Sequence, residues 1–202
     1  MRQYPEPFVT VAVSVIALLY YCGIGAQILR VRRIIRRSPV MWGATPLERL
    51  RTLGVFLWPL PALTWARSPG WFSGLPHVAL LENWGARLLG LLLVMLAGAM
   101  ATAAYGALGE HWRIGVDPAD ASGFVRAGIY GTIRHPVYAA LWLVLLGFFL
   151  LAPNLLLALL WALGSSAASA QADLEDRHLA QAYGKAYRDY MLVTGKFFPL
   201  IY

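Results

Sequence analysis

VYAALWLVLLGFFLLAPNLLLALLWALGSSAASAQA, running from Val137 to Ala172, is 36 consecutive residues without a charged side chain, interrupted only by Pro153-Asn154. A helix crossing a hydrocarbon core of about 30 Å needs about 20 apolar residues. The stretch is too long for one crossing and suits two, and a Pro-Asn pair between apolar runs marks a tight turn. It predicts a helical hairpin with spans at 137–152 and 155–172. Outward from it, Phe8 to Leu29 gives 22 uncharged residues, a first span at 8–29. That run is too long for a cleavable signal peptide, and a basic stop follows it. Leu88 to Leu108 predicts another span, with Gly90, Ala97, Gly98 and Ala101 as a small-residue packing surface. Thr52 to Ala66 is uncharged but holds Pro59 and Pro61, so a span at 52–66 should be kinked or broken. It borrows from the neutral stretch ending near Pro76, where Trp65, Trp71 and Phe72 suit an interfacial belt.

The composition agrees with this reading. The chain has 202 residues, 59% hydrophobic and 13% charged, against averages of about 45–50% and about 25%, and its mean hydropathy is +0.58. This excludes a disordered chain, a nucleic-acid-binding arm and an ordinary water-soluble domain. The single cysteine, Cys22, excludes a disulfide framework and any multi-cysteine metal site. His77, His111, His135 and His178 are scattered without zinc-ligand spacing, so no metal site is expected. There is no internal repeat and no low-complexity segment. The expectation is one all-α integral membrane domain, 1–202, with five transmembrane helices and cytoplasmic catalytic segments at 109–138 and 173–202.

Positive charge sets the orientation. With five spans, the loop carrying Arg30 to Arg51, the segment carrying Arg113, Arg126 and Arg134, and the C-terminal tail share one side and hold 14 of the 17 lysines and arginines. Only Arg2, Arg67 and Arg87 fall opposite. The N-terminus is thus expected outside and the C-terminus in the cytoplasm, in a plasma (inner) membrane of bacterial or archaeal type. The Arg30–Arg37 cluster reads as a topogenic loop facing lipid phosphates. Without interleaved aromatics it is no nucleic-acid site.

Polar residues able to act chemically fall in two stretches flanking the hairpin. The first contains Gly123-Phe124-Val125-Arg126-Ala127-Gly128-Ile129-Tyr130 and ends Arg134-His135-Pro136-Val137-Tyr138. Pro136 suits the start of a helix and forces His135 out of helical geometry. The amides opening that helix can hold an anionic group, and Tyr138 can point its hydroxyl back at the same place. The second stretch begins Asp173-Leu174-Glu175-Asp176 and places Leu179, Tyr183, Tyr187 and Tyr190 on one face of a membrane-surface helix. Each feature also has a plain reading: the tyrosines as packing and interface anchors, Arg134 as another cytoplasmic-side cation, His135-Pro136 as a cap, Glu175-Asp176 as a solvated helix end.

Together, Gly128-x-Tyr130-x-x-x-Arg134-His135-Pro136-x-Tyr138, the Pro-Asn hairpin, the acidic pair nine and eight residues before Gly184, and Tyr187, Tyr190 and Pro199 form a pattern. It resembles the isoprenylcysteine carboxyl methyltransferase family and the related phospholipid methyltransferases, over roughly Gly109 to the C-terminus. The resemblance implies S-adenosylmethionine as cofactor, held in a cytoplasmic pocket closed by a C-terminal amphipathic helix. By position it implies cofactor contacts at Gly123, Phe124, Val125, Tyr130, His135, Pro136, Val137, Tyr138 and Glu175. Arg134 and Glu175 are the catalytic candidates. The cofactor's carboxylate suits the helix start at Pro136, its ammonium suits Glu175, and its sulfonium suits aromatic faces. Where the family pattern has an arginine four residues before the first carboxylate, this chain has Gln171, after the small run Gly164 to Ala170. That departure speaks against a prenylcysteine carboxylate and makes Gln171 the candidate substrate contact for a different lipophilic acceptor reached from the bilayer, with membrane lipids as surroundings. Two other readings remain: a sterol-type membrane reductase using NADPH in an equivalent pocket, and a non-enzymatic lipid-binding protein.

Overall fold

In the computed structural model, residues 7–42, 45–68, 74–114 and 124–199 are described. Seven α-helices follow in order: α1 (Pro7–Ile35), α2 (Pro46–Leu57), α3 (Pro59–Arg67), α4 (Trp84–Leu108), α5 (Pro136–Leu151), α6 (Leu155–Tyr183) and α7 (Lys185–Val193). No strand occurs among the described residues; there are only isolated bridges, Val40 with Ile114, His77 with Asn154 and Ile133 with Gly195. Helices α1, α4 with its closing turn, and α6 are each long and apolar enough to cross a membrane. Helix α5, at 16 residues, is shorter, spanning about 24 Å at about 1.5 Å per residue.

Two element boundaries differ from the sequence reading. Helix α1 continues past its apolar run and carries Arg30, Arg32 and Arg33 on its last turns, where a loop was expected. Arginine is a good helix former, and cations at a helix C-terminus meet the negative end of its dipole. The expected surface helix bearing the tyrosine stripe is instead divided. Helix α6 runs unbroken through Glu175 and Asp176 to Tyr183, Gly184 takes φ 57°, and α7 begins at Lys185. A left-handed residue costs glycine little, so the chain turns there. Leu179 and Tyr183 end one helix while Tyr187 and Tyr190 belong to the next.

The chain between Pro46 and Arg67 forms two helices separated at Trp58, since Pro59 has no N–H to give the preceding turn. The hairpin turn is fixed by Asn154, whose side chain accepts from Leu157 N at 3.1 Å. Val78 N donates to Pro153 O and Leu155 N to Pro76 O, strapping the 76–78 segment against the turn. Helices α4 and α5 meet backbone to backbone: a Cβ on Gly90 would lie 2.8 Å from Gly147 O. Of the expected small-residue surface, Gly90 and Ala97 are buried, whereas Gly98 faces open space. One apolar core gathers Val9, Val13, Trp58, Phe148, Leu151 and Leu157 from α1, the α2–α3 joint, α5 and α6. A second, nearer the C-terminal end of α1, gathers Ile24, Val31, Trp112 and Ile114.

Candidate functional site

Three pieces of chain converge where α5 starts. After Gly128, in the left-handed region at φ 59°, a short turn at Gly128–Gly131 leads into residues 132–135. These run beside the segment following α7: Gly195 N donates to Thr132 O (3.0 Å), Arg134 N to Gly195 O (2.8 Å) and His135 N to Lys196 O (3.0 Å). This parallel pairing fixes the backbone immediately before Pro136. His135 is at φ −125° and makes no capping bond with its side chain, so its imidazole is available to α6.

That imidazole bridges both carboxylates. His135 Nε2 lies 2.7 Å from Asp176 Oδ1, and its Nδ1 lies 3.7 Å from Glu175 Oε2. Adjacent positions on a helix differ by about 100°, as 3.6 residues per turn requires, and the two acids accordingly face different surroundings. Asp176 is buried and also accepts from the Tyr187 hydroxyl at 2.6 Å, with Arg134 Nε 3.7 Å from its Oδ2. Glu175 keeps 26% of its side chain exposed. It accepts from the Tyr138 hydroxyl at 2.5 Å and from Gln171 Nε2 at 3.4 Å.

Arg134 is buried, and its Nη1 donates to Met191 O (2.9 Å) and to Thr194 O. Its Nη1 thus holds the end of α7 and the residue after it. Tyr190 donates to Tyr130 O at 2.6 Å, a second tie between the segment before α5 and α7. Burial pushes the Tyr130 hydroxyl up. Burial, then the bond to Asp176, pushes Tyr187 up. Burial pushes Tyr190 up to about 12, and all three remain protonated at neutral pH.

An aromatic wall completes the site. Phe124 packs against Tyr183, Tyr187 and Tyr190 at ring separations of 5.4, 4.8 and 5.2 Å. Arg126 lies 4.3 Å over the Phe124 ring and donates to Ala186 O. Trp142 stacks on Phe197 at 5.1 Å, and Lys196 pairs with Asp173 at 2.6 Å, so the tail lies across the junction of α5 and α6.

A cavity of about 2180 Å³ extends from this cluster between α1, α2, α4, α5 and α6. Of the candidate residues, Phe124, Val125, Tyr130, Arg134, His135, Val137, Tyr138, Gln171 and Glu175 all line it. Pro136 is buried at the start of α5, and Gly123 lies outside the described residues. The sequence reading paired Asp176 with Glu175 but gave it no role in the site, and it took Tyr187 and Tyr190 for packing and interface anchors. The structure gives Asp176 three partners, as many as Glu175, buries it more deeply, and turns both tyrosines inward, 1% and 6% exposed. An acidic pair at a membrane-level helix end, where an ionisable group needs a partner, pointed to the place but not to the division between the two acids.

A helical bundle with membrane-length helices lining an apolar cavity, with an acid–imidazole–phenol cluster at one end, is a layout that suits a membrane protein. Residues 86–186, half of the chain, match the profile of the phospholipid methyltransferase family, and the chain belongs to that family. The family is one of membrane methyltransferases acting on lipid. The match begins in α4 and ends in α7, covering the hairpin, both acids, His135 and Tyr138 but neither Tyr187 nor α1 to α3. No curated protein matches the chain.

Proposed function

We propose that this protein is an S-adenosylmethionine-dependent methyltransferase that takes a lipophilic acceptor from the bilayer into its internal cavity, with the reaction end facing the cytoplasm. The observation carrying the reading is Glu175: a partly exposed carboxylate at the polar end of an apolar cavity, held by Tyr138, next to the opening turn of α5. The residues suit the cofactor's functional groups. Glu175 is placed for an ammonium, the first-turn amides of α5 for a carboxylate, and the Phe124, Tyr183 and Tyr187 rings for a cationic or flat aromatic moiety. When bound, the cofactor supplies an electrophilic methyl group for in-line displacement. The chain's contribution is then positional and electrostatic. Tyr138 and Gln171 orient the Glu175 carboxylate. Asp176 and His135 fix the start of α5 relative to α6. Arg134, whose Nη1 is held by two carbonyl oxygens of the tail, positions that tail.

Five crossings with an external N-terminus remain our reading of the topology, α2–α3 forming the broken second span. It places the acid cluster at the cytoplasmic face, where soluble cofactor is available. The reductase reading is disfavoured because a nicotinamide dinucleotide phosphate wants cations. One terminal nitrogen of Arg134 here is committed to carbonyls, and Lys196 to Asp173. Calorimetric titration of the detergent-purified protein with S-adenosylhomocysteine and with NADPH tests the proposal. Saturable binding of the former alone is expected; binding of NADPH alone, or of neither, defeats it.

A further inference from the structure

The cavity wall contributed by α1 lies outside the family match, and it contains a feature the acid cluster does not use. Tyr20, Gly23, Ile24, Gln27 and Arg30 line the cavity from one face of α1. At spacings of three and four they form a helical stripe. Tyr20 donates its hydroxyl to Val55 O, and Arg30 sits at the exposed end of the stripe. Gln27 differs from both: the residue is 6% exposed, and its Nε2 is fully buried with no hydrogen-bond partner among the described residues. Along α1 it lies between Ile24 and Val31, both members of the core that includes Trp112 and Ile114. Buried side-chain amides in apolar surroundings are normally satisfied. A buried donor without a protein partner, on a residue that lines a cavity, is a place where a ligand atom can supply the partner.

We propose that Gln27 is the acceptor-orienting group. Its carboxamide donates to an uncharged oxygen, an ester carbonyl or hydroxyl, located between the head group and the chains of the lipid acceptor. The inference rests on the methyltransferase reading above and adds to it the acceptor side of the cavity. A neutral amide in an apolar wall suits a neutral oxygen, because a charged group brought there loses its hydration without gaining a counter-charge. The reacting head group then points to the carboxylate end of the same cavity while the chains lie among the apolar residues of α1, α4 and α5. Acceptor choice is thereby assigned to α1, and cofactor binding to the family-matched half of the chain.

The test uses the full-length protein with Gln27→Leu, which keeps the volume and removes the donor, and Gln27→Glu, which keeps the length and an acceptor oxygen. The first readout is methyl transfer to a panel of lipids that includes a dioleoyl phospholipid with a primary-amine head group and a farnesylated cysteine analogue. For whichever lipid the wild type methylates, both variants should raise the acceptor KM at least tenfold. Their kcat should stay within threefold of wild type, and their affinity for S-adenosylhomocysteine should be unchanged. A wild-type KM in either variant overturns the proposal. So does a parallel loss of S-adenosylhomocysteine affinity, which would make Gln27 a packing residue. If the wild type binds no S-adenosylhomocysteine, or methylates none of the panel, the methyltransferase reading fails separately. Equilibrium retention of the primary-amine phospholipid by wild type and Gln27→Leu then decides: weaker retention by the variant supports the donor role, and equal retention refutes it.

Discussion

Glu175 and Asp176 are neighbours in sequence, and neutralising each should give opposite phenotypes. In Glu175→Gln the side chain keeps its length, and Tyr138 keeps an oxygen to donate to. No buried cation loses its partner, so the fold should lose less than about 1 kcal/mol, the worth of one ordinary hydrogen bond. A bound ammonium, however, loses its counter-charge. Truncating one side of a buried charge pair costs about 2–5 kcal/mol. Because Glu175 is 26% exposed, water screens part of that, and about 2–3 kcal/mol is expected. At about 1.4 kcal/mol per decade this is roughly a 30- to 150-fold loss of S-adenosylhomocysteine affinity. Asp176→Asn removes a buried charge shared by His135, Tyr187 and Arg134. Breaking a buried pair by removing one partner costs about 3–5 kcal/mol. Arg134 keeps its carbonyl partners, which points to the lower end, about 3 kcal/mol. At about 2–4 °C per kcal/mol for a chain of this size, the melting temperature should fall by about 6–12 °C. Paired calorimetry and thermal unfolding of the two variants measure both quantities. Wild-type affinity in a folded Glu175→Gln protein would remove Glu175 from the site. A large Tm loss in Glu175→Gln with none in Asp176→Asn would refute the division of labour.

Gly90→Val should destabilise the protein by about 1–3 kcal/mol, because the Gly147 carbonyl is only 2.8 Å from where a Cβ would sit; thermal unfolding in detergent measures this, and an unchanged Tm would show that α4 and α5 can separate freely. Gln171→Arg should lower turnover on the natural acceptor, since a cation beside Glu175 competes for the carboxylate that Gln171 now contacts at 3.4 Å. It should not create a good prenylcysteine carboxyl methyltransferase; robust methylation of a farnesylated cysteine analogue by this variant but not by wild type would show the pocket already shaped for that substrate. Tyr187→Phe should destabilise the fold by about 1–3 kcal/mol, read as a Tm fall of about 2–12 °C, because Asp176 loses a donor in a buried place. A reporter fused to the C-terminus that is active only on the cytoplasmic side should be active, as the distribution of arginine and lysine requires.

Much of the helical framework was legible because it rests on local rules. The uncharged runs gave the long helices, Pro59 broke the second, and Pro153-Asn154 turned the hairpin through the Asn154 cap. The approach of α5 to the acids of α6 was legible too, since a hairpin of two antiparallel helices brings the start of one to the end of the other. The pairing of the tail with residues 132–135 was not. It joins segments some 60 positions apart through main-chain bonds, to which side-chain pattern contributes nothing. The outcome for Arg134 follows from that pairing, because the carbonyls that occupy its guanidinium belong to residues 191 and 194. Cytoplasmic-side charge counting sees such an arginine only as a unit of topology.

The misreading of the tyrosine stripe has a physical cause with a consequence for the site. Leu179, Tyr183, Tyr187 and Tyr190 match helical spacing, so continuity of one helix was the simplest inference, and it put all four at the membrane surface. Gly184 instead takes φ 57° and lets α7 fold back toward α6, with Tyr187 reaching Asp176 eleven positions before it. One straight helix could not make that contact: eleven residues span about 16 Å along its axis at about 1.5 Å per residue. The turn therefore converts a surface stripe into the wall that Phe124 packs against, and it makes the acid cluster depend on the C-terminal segment. Asp176 thus connects two structural ties, to α5 through His135 and to α7 through Tyr187, while Glu175, one residue earlier, is left facing the cavity.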